Sequence, residues 1–312
     1  MTAYLSRFGA YVPSRIVTNE EMSAIAGCEA SWIRGVSGIE ERRWAGEGES
    51  VADMAVEAAR RCLGDMPASE LGLILLASGS AERRFPGPAA TLATRLDLDS
   101  TPAIDLPMAS AGSLFGLDLA RRLAPQYGKI LVVAAEKMSS VVLREPVERS
   151  TAILFGDGAG ACLVTADATD ALAEVVDSAV SSDGAYAEDL RLGFGGTLEM
   201  NGRSVILQAS RKIPRAIGEL LEKNGRTAAE VAVFLMHQAN QNLIVRVAQG
   251  LEVPPERFYS NIGRYGNTSS ASMLIAAEEY FAATLASPGA PLVFAGFGAG
   301  FHWGALLAVG AG

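Results

Sequence analysis

This 312-residue chain is poor in the side chains that build metal sites and disulfide frameworks, with only 3 cysteines and 2 histidines. Cys28, Cys62 and Cys162 form no CxxC pair and share no zinc-ligand spacing with a histidine. They read as small buried hydrophobes in a reducing compartment, and no metal is expected. A long apolar run is missing too. No stretch approaches the ~20 residues of a bilayer-spanning helix, and the start, Met1-Thr2-Ala3-Tyr4-Leu5, lacks a cationic segment ahead of an apolar one. A cytoplasmic protein with no membrane partner is expected. A basic stripe is the third absence. Lys+Arg number 26 against Asp+Glu 35, a net charge of -9, which argues against nucleic acid as a partner. An acidic partner would need a local basic patch.

Against these absences stand 49% hydrophobic and 20% charged residues, the balance of an ordered globular chain. The length allows two domains or one doubled fold. The 33 glycines cluster in short apolar runs, which suggests closely packed buried strands rather than a flexible linker.

Apolar runs of about five residues recur at 73–77, 130–135, 232–236 and 291–295, each bounded by polar residues or glycine. They read as buried strands. Helical spacing marks 51–63, where Ala55, Ala58, Ala59 and Cys62 form an inner face, and also 214–223, 114–123 and 273–280. Strands alternating with helices predict an α/β sheet protein. A weak repeat accompanies them. Phe155-Gly156-Asp157-Gly158-Ala159-Gly160 leads into the apolar run 161–164, and Phe297-Gly298-Ala299-Gly300 leads toward 305–309. A Gly-rich turn opening a strand near the end of each half suggests duplication. The division is placed at residues 1–166 and 167–312, in the small polar stretch near 165–175.

Three segments can carry chemistry. In Asp105-Leu106-Pro107-Met108-Ala109-Ser110-Ala111-Gly112, small residues crowd the passage from an extended segment into a helix. A nucleophile there sits in the positive field of the helix start, near N–H groups able to hold an oxyanion; a plain helix cap fits the same residues. His237 ends a buried strand in Met236-His237-Gln238-Ala239-Asn240, where it can serve as base, as donor to a carbonyl, or as a structural group. Asn267, in Gly266-Asn267-Thr268-Ser269, can donate its amide N–H to a carbonyl or belong to a capping turn.

Taken together and in this order, these motifs resemble the β-ketoacyl-acyl-carrier-protein synthase III family of the thiolase superfamily. The likeness runs from Phe8-Gly9-Ala10-Tyr11-Val12-Pro13 to Trp303-Gly304-Ala305, and includes Trp32-Ile33, Ser37-Gly38-Ile39 and Phe85-Pro86. It implies an α/β thiolase fold of two similar five-layered halves, α-β-α-β-α, paired as a homodimer. It implies catalytic Ser110, His237 and Asn267, with oxyanion donors at Ser110 and Gly300. Coenzyme A would be held at Trp32 and Arg149, and the acyl and substrate pocket would involve Phe85, Met200, Ile206 and Asn240. No cofactor is implied, since coenzyme A arrives as the substrate thioester. His302 falls where the family has no catalytic histidine and reads as structural.

Two departures stand out. The family nucleophile is cysteine, whose pKa of ~8.5 falls at a helix N-terminus, whereas serine gains less from that field and needs a base. His237 is the base expected from the motifs. A natural serine variant and an engineered Cys-to-Ser change both fit Ser110. The second departure concerns the acyl carrier protein, a further expected partner. The helix after His237 carries only Arg246 as a basic residue, Val36 stands where the family has an arginine although Arg34 is near, and Arg211, Lys212 and Arg215 offer a different patch. The expected activity is loading of an acyl group from coenzyme A or a carrier on Ser110, then condensation with a malonyl-type thioester in fatty-acid or polyketide-type biosynthesis. Acyl transfer to an alcohol or amine, and a non-catalytic acyl-binding subunit, are the alternatives. A Ser hydrolase is disfavoured, since no Gly-x-Ser-x-Gly elbow surrounds Ser110.

Overall fold

The computed structural model describes residues 2–284 and 286–311. Nine strands form one mixed sheet: β1 (Ala3–Tyr11), β2 (Leu73–Ala77), β3 (Ala103–Leu106), β4 (Lys129–Lys137), β5 (Asp157–Thr165), β6 (Ala173–Ser182), β7 (Val233–Met236), β8 (Pro291–Gly298) and β9 (His302–Gly310). Their order is β7-β8-β9-β6-β1-β5-β4-β2-β3. On one wing β2 runs parallel to β4, β4 antiparallel to β5, and β5 antiparallel to β1. On the other, β7, β8, β9 and β6 follow each other with the same orientations. The wings meet where β1 pairs with β6.

The principal helices are α1 (Asn19–Ala26), α2 (Ala30–Ser37), α3 (Val51–Leu63), α4 (Gly112–Tyr127), α5 (Gly202–Lys223), α6 (Gln241–Gly250) and α7 (Ser272–Ala283). Side-chain alternation explains the layers. Leu73, Leu75 and Ala77 of β2 and Val233 and Leu235 of β7 turn inward onto one central cluster with Leu114 and Leu117 of α4 and Leu274 of α7. The intervening Ile74 and Leu76 face a second cluster under α3, while Phe234 and Met236 face a third under α5 and α6. Helices thus cover both faces of each wing and fill the space between, giving five layers. Strands buried on both faces read as continuous apolar runs, which is why they were visible in the sequence.

Two expectations shift. The helix expected at 214–223 begins twelve residues earlier, at Gly202, with Pro214 buried inside it. Proline normally marks a helix start, and its sequence position gives no warning of an interior site. The run Gly158-Ala159-Gly160 is not a turn but part of β5. A Cβ on Gly160 would lie 2.5 Å from the Leu274 Cβ, so glycine is what lets α7 approach the strand. Its counterpart at 298–300 does end a strand and turn into β9.

Candidate active site

Ser110 lies in the tight passage from β3 to α4, two residues before the first helical turn. Its φ is +60°, a left-handed conformation unusual for a residue with a side chain. The end of β8 packs directly against this turn. A Cβ on Gly298, at the end of β8, would lie 2.4 Å from Ala109 O and 3.1 Å from Ser110 Cβ, so the two wings press together at the serine. Ser110 is buried and lines a largely apolar cavity with an open volume of about 1010 Å³, counted out to solvent.

His237 follows β7, its N–H donating to Ala295 O at 2.8 Å. The ring is buried and, among the described residues, has Ser272 Oγ as its hydrogen-bond partner, 2.6 Å from Nδ1. Ser272 Oγ accepts the Gln238 N–H and also lies 3.0 Å from Ser269 O. The hydroxyl has one proton for two acceptors: given to Nδ1, it makes Nε2 a donor; given to Ser269 O, it leaves Nε2 an acceptor. Burial lowers the His237 pKa from 6.5 to about 4, with the nearby Ser269 carbonyl opposing, so the ring is neutral at pH 7.

Asn267 is fixed through its backbone, with N–H donating to Leu154 O at 2.9 Å and its carbonyl accepting from Gly156 N–H at 3.1 Å. Its Oδ1 accepts the Ser269 N–H at 2.8 Å. Committing Oδ1 in this way orients the amide, and the Nδ2 donor keeps only a long 3.5 Å approach to Ala239 O. Ser110, His237 and Asn267 line the same cavity, as do Met200, Ile206 and Asn240. Asn240 also caps α6 by accepting Asn242 N–H, and reaches Val36 O at 2.9 Å.

Other expected residues fall elsewhere. Trp32, on α2, and Arg149 meet each other, the guanidinium 5.3 Å from the indole centre, outside the cavity wall that holds Ser110. Phe85 is 84% exposed and does not line the cavity within one chain. Gly300 sits just beyond the wall, which is formed there by Gly298 and Ala299; its φ of +139° and a His302 ring only 2.3 Å from any added Cβ explain the glycine. The other expected oxyanion donor, Ser110 N–H, is engaged with Ser269 Oγ at 3.0 Å. It must leave that bond to serve an oxyanion. His302 bonds Ser182 Oγ at 2.7 Å and stacks edge-on to Phe115. In the alternative basic patch Lys212 is paired with Asp183 and Arg215 with Glu219, while Arg34 is paired with Glu40.

Sequence reasoning passed over Ser269 and Glu136. Glu136 is fully buried at the end of β4. The signal was a lone carboxylate closing the run Ala134-Ala135-Glu136, because a charge so placed needs dedicated partners.

Comparison with known proteins agrees with this architecture. Residues 104–184 match the family model "3-Oxoacyl-[acyl-carrier-protein (ACP)] synthase III", and residues 221–309 match its C-terminal counterpart. The chain is 36% identical over 326 residues to the β-ketoacyl-[acyl-carrier-protein] synthase III of Oleidesulfovibrio alaskensis, covering 98% of each. The crystal structure of 3-oxoacyl-[acyl-carrier-protein] synthase III from Aquifex aeolicus superposes with a TM-score of 0.93 at 33% identity, covering 98% of this chain and 99% of that one. The priming β-ketosynthase from the R1128 polyketide biosynthetic pathway matches at 0.90 and 28% identity, covering 99% and 96%. The nine-stranded layered fold is therefore a thiolase fold, and the chain belongs to the 3-oxoacyl-[acyl-carrier-protein] synthase III family.

Proposed function

We propose that this protein is a condensing enzyme that loads an acyl group on Ser110 and joins it to a malonyl-type thioester, in fatty-acid or polyketide-type biosynthesis. The observation that carries the reading is the meeting of Ser110, His237 and Asn267 on one apolar cavity in a chain of this family. The acyl thioester carbonyl is attacked by Ser110 Oγ and the thiol leaves. The acyl chain lies along the apolar wall that includes Met200 and Ile206. His237, through Nε2–H, and Asn267, through Nδ2–H, then hold the oxygen of the second thioester as it loses carbon dioxide. The resulting enolate carbon attacks the acyl-Ser110 ester, and Ser110 is released. Two neutral donors suit this task, because the charge they meet develops only as decarboxylation proceeds.

The donor is acyl-coenzyme A, with its adenine between Trp32 and Arg149. If so, Trp32→Ala raises KM for an acyl-coenzyme A about 10-fold with little change in kcat, as expected for loss of one stacking contact. KM for the same acyl group on pantetheine, which lacks adenine, stays level; parallel rises for both donors would remove Trp32 from that role. A second copy of the chain covers the exposed Phe85 in a homodimer, which sedimentation measures directly. Carrier docking rests on Arg246 and Arg211, since their neighbours are neutralised.

Incubation with a panel of acyl-coenzyme A thioesters, followed by intact mass and then by labelled malonyl thioester, tests the reading. An acyl adduct followed by carbon dioxide release and a lengthened product is expected. An adduct without decarboxylation would favour transfer to an alcohol or amine, and no adduct would favour a non-catalytic subunit. Ser110→Cys should acylate faster at pH 7 to 8, because the helix start favours thiolate. A slower cysteine variant would mean that the site has been rebuilt around serine, and would speak for a natural serine enzyme over an engineered one.

A further inference from the structure

Resting on the reading of Ser110 as the acylated residue, we propose that its proton is taken by Ser269, held in place by buried Glu136, rather than by His237. Among the described residues, the hydroxyl nearest Ser110 Oγ within hydrogen-bond range is Ser269 Oγ, at 3.5 Å, and no hydrogen bond joins Ser110 to the His237 ring. The spacing is long, as catalytic contacts often are before substrate binds.

Glu136 sets the direction of the chain. Its carboxylate receives the Gly79 N–H at 3.0 Å, the Ser270 N–H at 3.3 Å, and the hydroxyls of Ser78, Ser80, Ser269 and Ser270. Among the described residues, each of these partners is an N–H or O–H group directed at a carboxyl oxygen of Glu136. The Ser269 proton is therefore committed to Glu136, at 3.0 Å. One Ser269 lone pair takes the Ser110 N–H, and the other is free for the Ser110 hydroxyl. Ser110 and Ser269 both carry positive φ, +60° and +48°, so both hydroxyls are presented from backbone conformations that side chains seldom adopt. Strain of this kind, paired across two segments 159 residues apart and backed by a buried carboxylate, belongs to functional sites.

In the acylation step Ser110 Oγ forms its bond to the thioester carbonyl carbon and the carbon–sulfur bond breaks, its electron pair leaving on sulfur. The Ser110 proton passes to Ser269 Oγ as the Ser269 proton moves to Glu136. The chain then returns one proton to the sulfur, which departs as thiol. Ser110 gains an ester, and Ser269 and Glu136 end as they began. Glu136 is a positioning residue, acting through Ser269.

A thiol at position 110 ionises under the helix field and does not need this acceptor, so the test is whether the requirement depends on the nucleophile. Single-turnover acylation by an acyl-coenzyme A is measured for the parent, Ser269→Ala, Ser110→Cys and the Ser110→Cys/Ser269→Ala double variant. Ser269→Ala should slow the serine enzyme by about 10²–10³ and the cysteine enzyme by less than about 10-fold. Glu136→Gln should act like Ser269→Ala and add little to it; if it does not fold, the four-way comparison still decides. Equal losses in both backgrounds would mean that Ser269 merely supports the turn, and an unaffected serine enzyme would overturn the relay alone. A parent that takes no acyl group would overturn the assignment of Ser110, and the relay with it.

Discussion

Ser110→Ala should abolish acyl-enzyme formation, by more than about 10³-fold, while leaving the fold intact. The substitution deletes one oxygen whose hydrogen-bond contact, among the described residues, is the long approach to Ser269 Oγ, at 3.5 Å. The backbone bond from residue 110 to Ser269 survives, because it uses the N–H. Alanine meets the same steric demand at φ +60° as serine, so the backbone strain is unchanged. The expected stability change is within about 1 kcal/mol, small beside that of a core truncation. Intact mass after incubation with acyl-coenzyme A reads the first effect, and a thermal melt reads the second. An adduct of normal yield on the alanine variant would show that another residue is acylated. A collapsed melting temperature would mean that the serine is structural, as a plain cap would be.

The parts of this molecule legible in the sequence were those with a local signature. Val51–Leu63 forms the helix expected there because Ser50 and Asp53 cap it reciprocally and an alanine face repeats at helical spacing. The double-sided strands announced themselves as unbroken apolar runs. The cluster behind the nucleophile had no such signature. Glu136, Ser269 and Ser110 come from three segments, and each alone is an ordinary residue: a carboxylate at a strand end, a turn serine, a helix-start serine. Only the packing of β4 beside the 269–271 turn joins them. Phe85 shows the opposite limit. The resemblance placed it at an acyl pocket near a dimer interface, and within one chain it is 84% exposed and outside the cavity that holds Ser110, so a single chain carries no sign of that role. His237 was expected to serve as the base because the motifs offer no other candidate. In the fold, burial lowers its pKa to about 4 and its Nδ1 meets Ser272 Oγ, two facts of tertiary packing that no local motif carries.

His237 and Asn267 should separate the two half-reactions. The clean variant at 267 is Asn267→Asp, which keeps an oxygen to accept the Ser269 N–H and replaces the Nδ2 donor. It should leave acylation of Ser110 nearly intact and lower decarboxylation of a malonyl thioester by at least about 10²–10³, the usual cost of one oxyanion donor. Asn267→Ala is less clean, because freeing the Ser269 N–H disturbs the acceptor proposed for Ser110. His237→Ala should follow the aspartate variant: decarboxylation falls by about 10²–10³ and acylation by less than about 10-fold. The reason is electrostatic. With its pKa held near 4 by burial, the ring is a feeble base at pH 7, while the tautomer in which Ser272 donates to Nδ1 leaves Nε2–H as a neutral donor. It follows that decarboxylation by the acylated enzyme carries no titration of His237 between pH 5 and 8. The same shift has a sign for stability. The unfolded chain takes up its proton near 6.5 and the folded one near 4, so the His237 contribution to stability is lost as pH falls through that window and is constant above it. Single-turnover acylation and release of labelled carbon dioxide, followed separately, distinguish the roles. If His237→Ala stops acylation as thoroughly as decarboxylation, the histidine is the base of Ser110 after all, and Ser269 is only its neighbour.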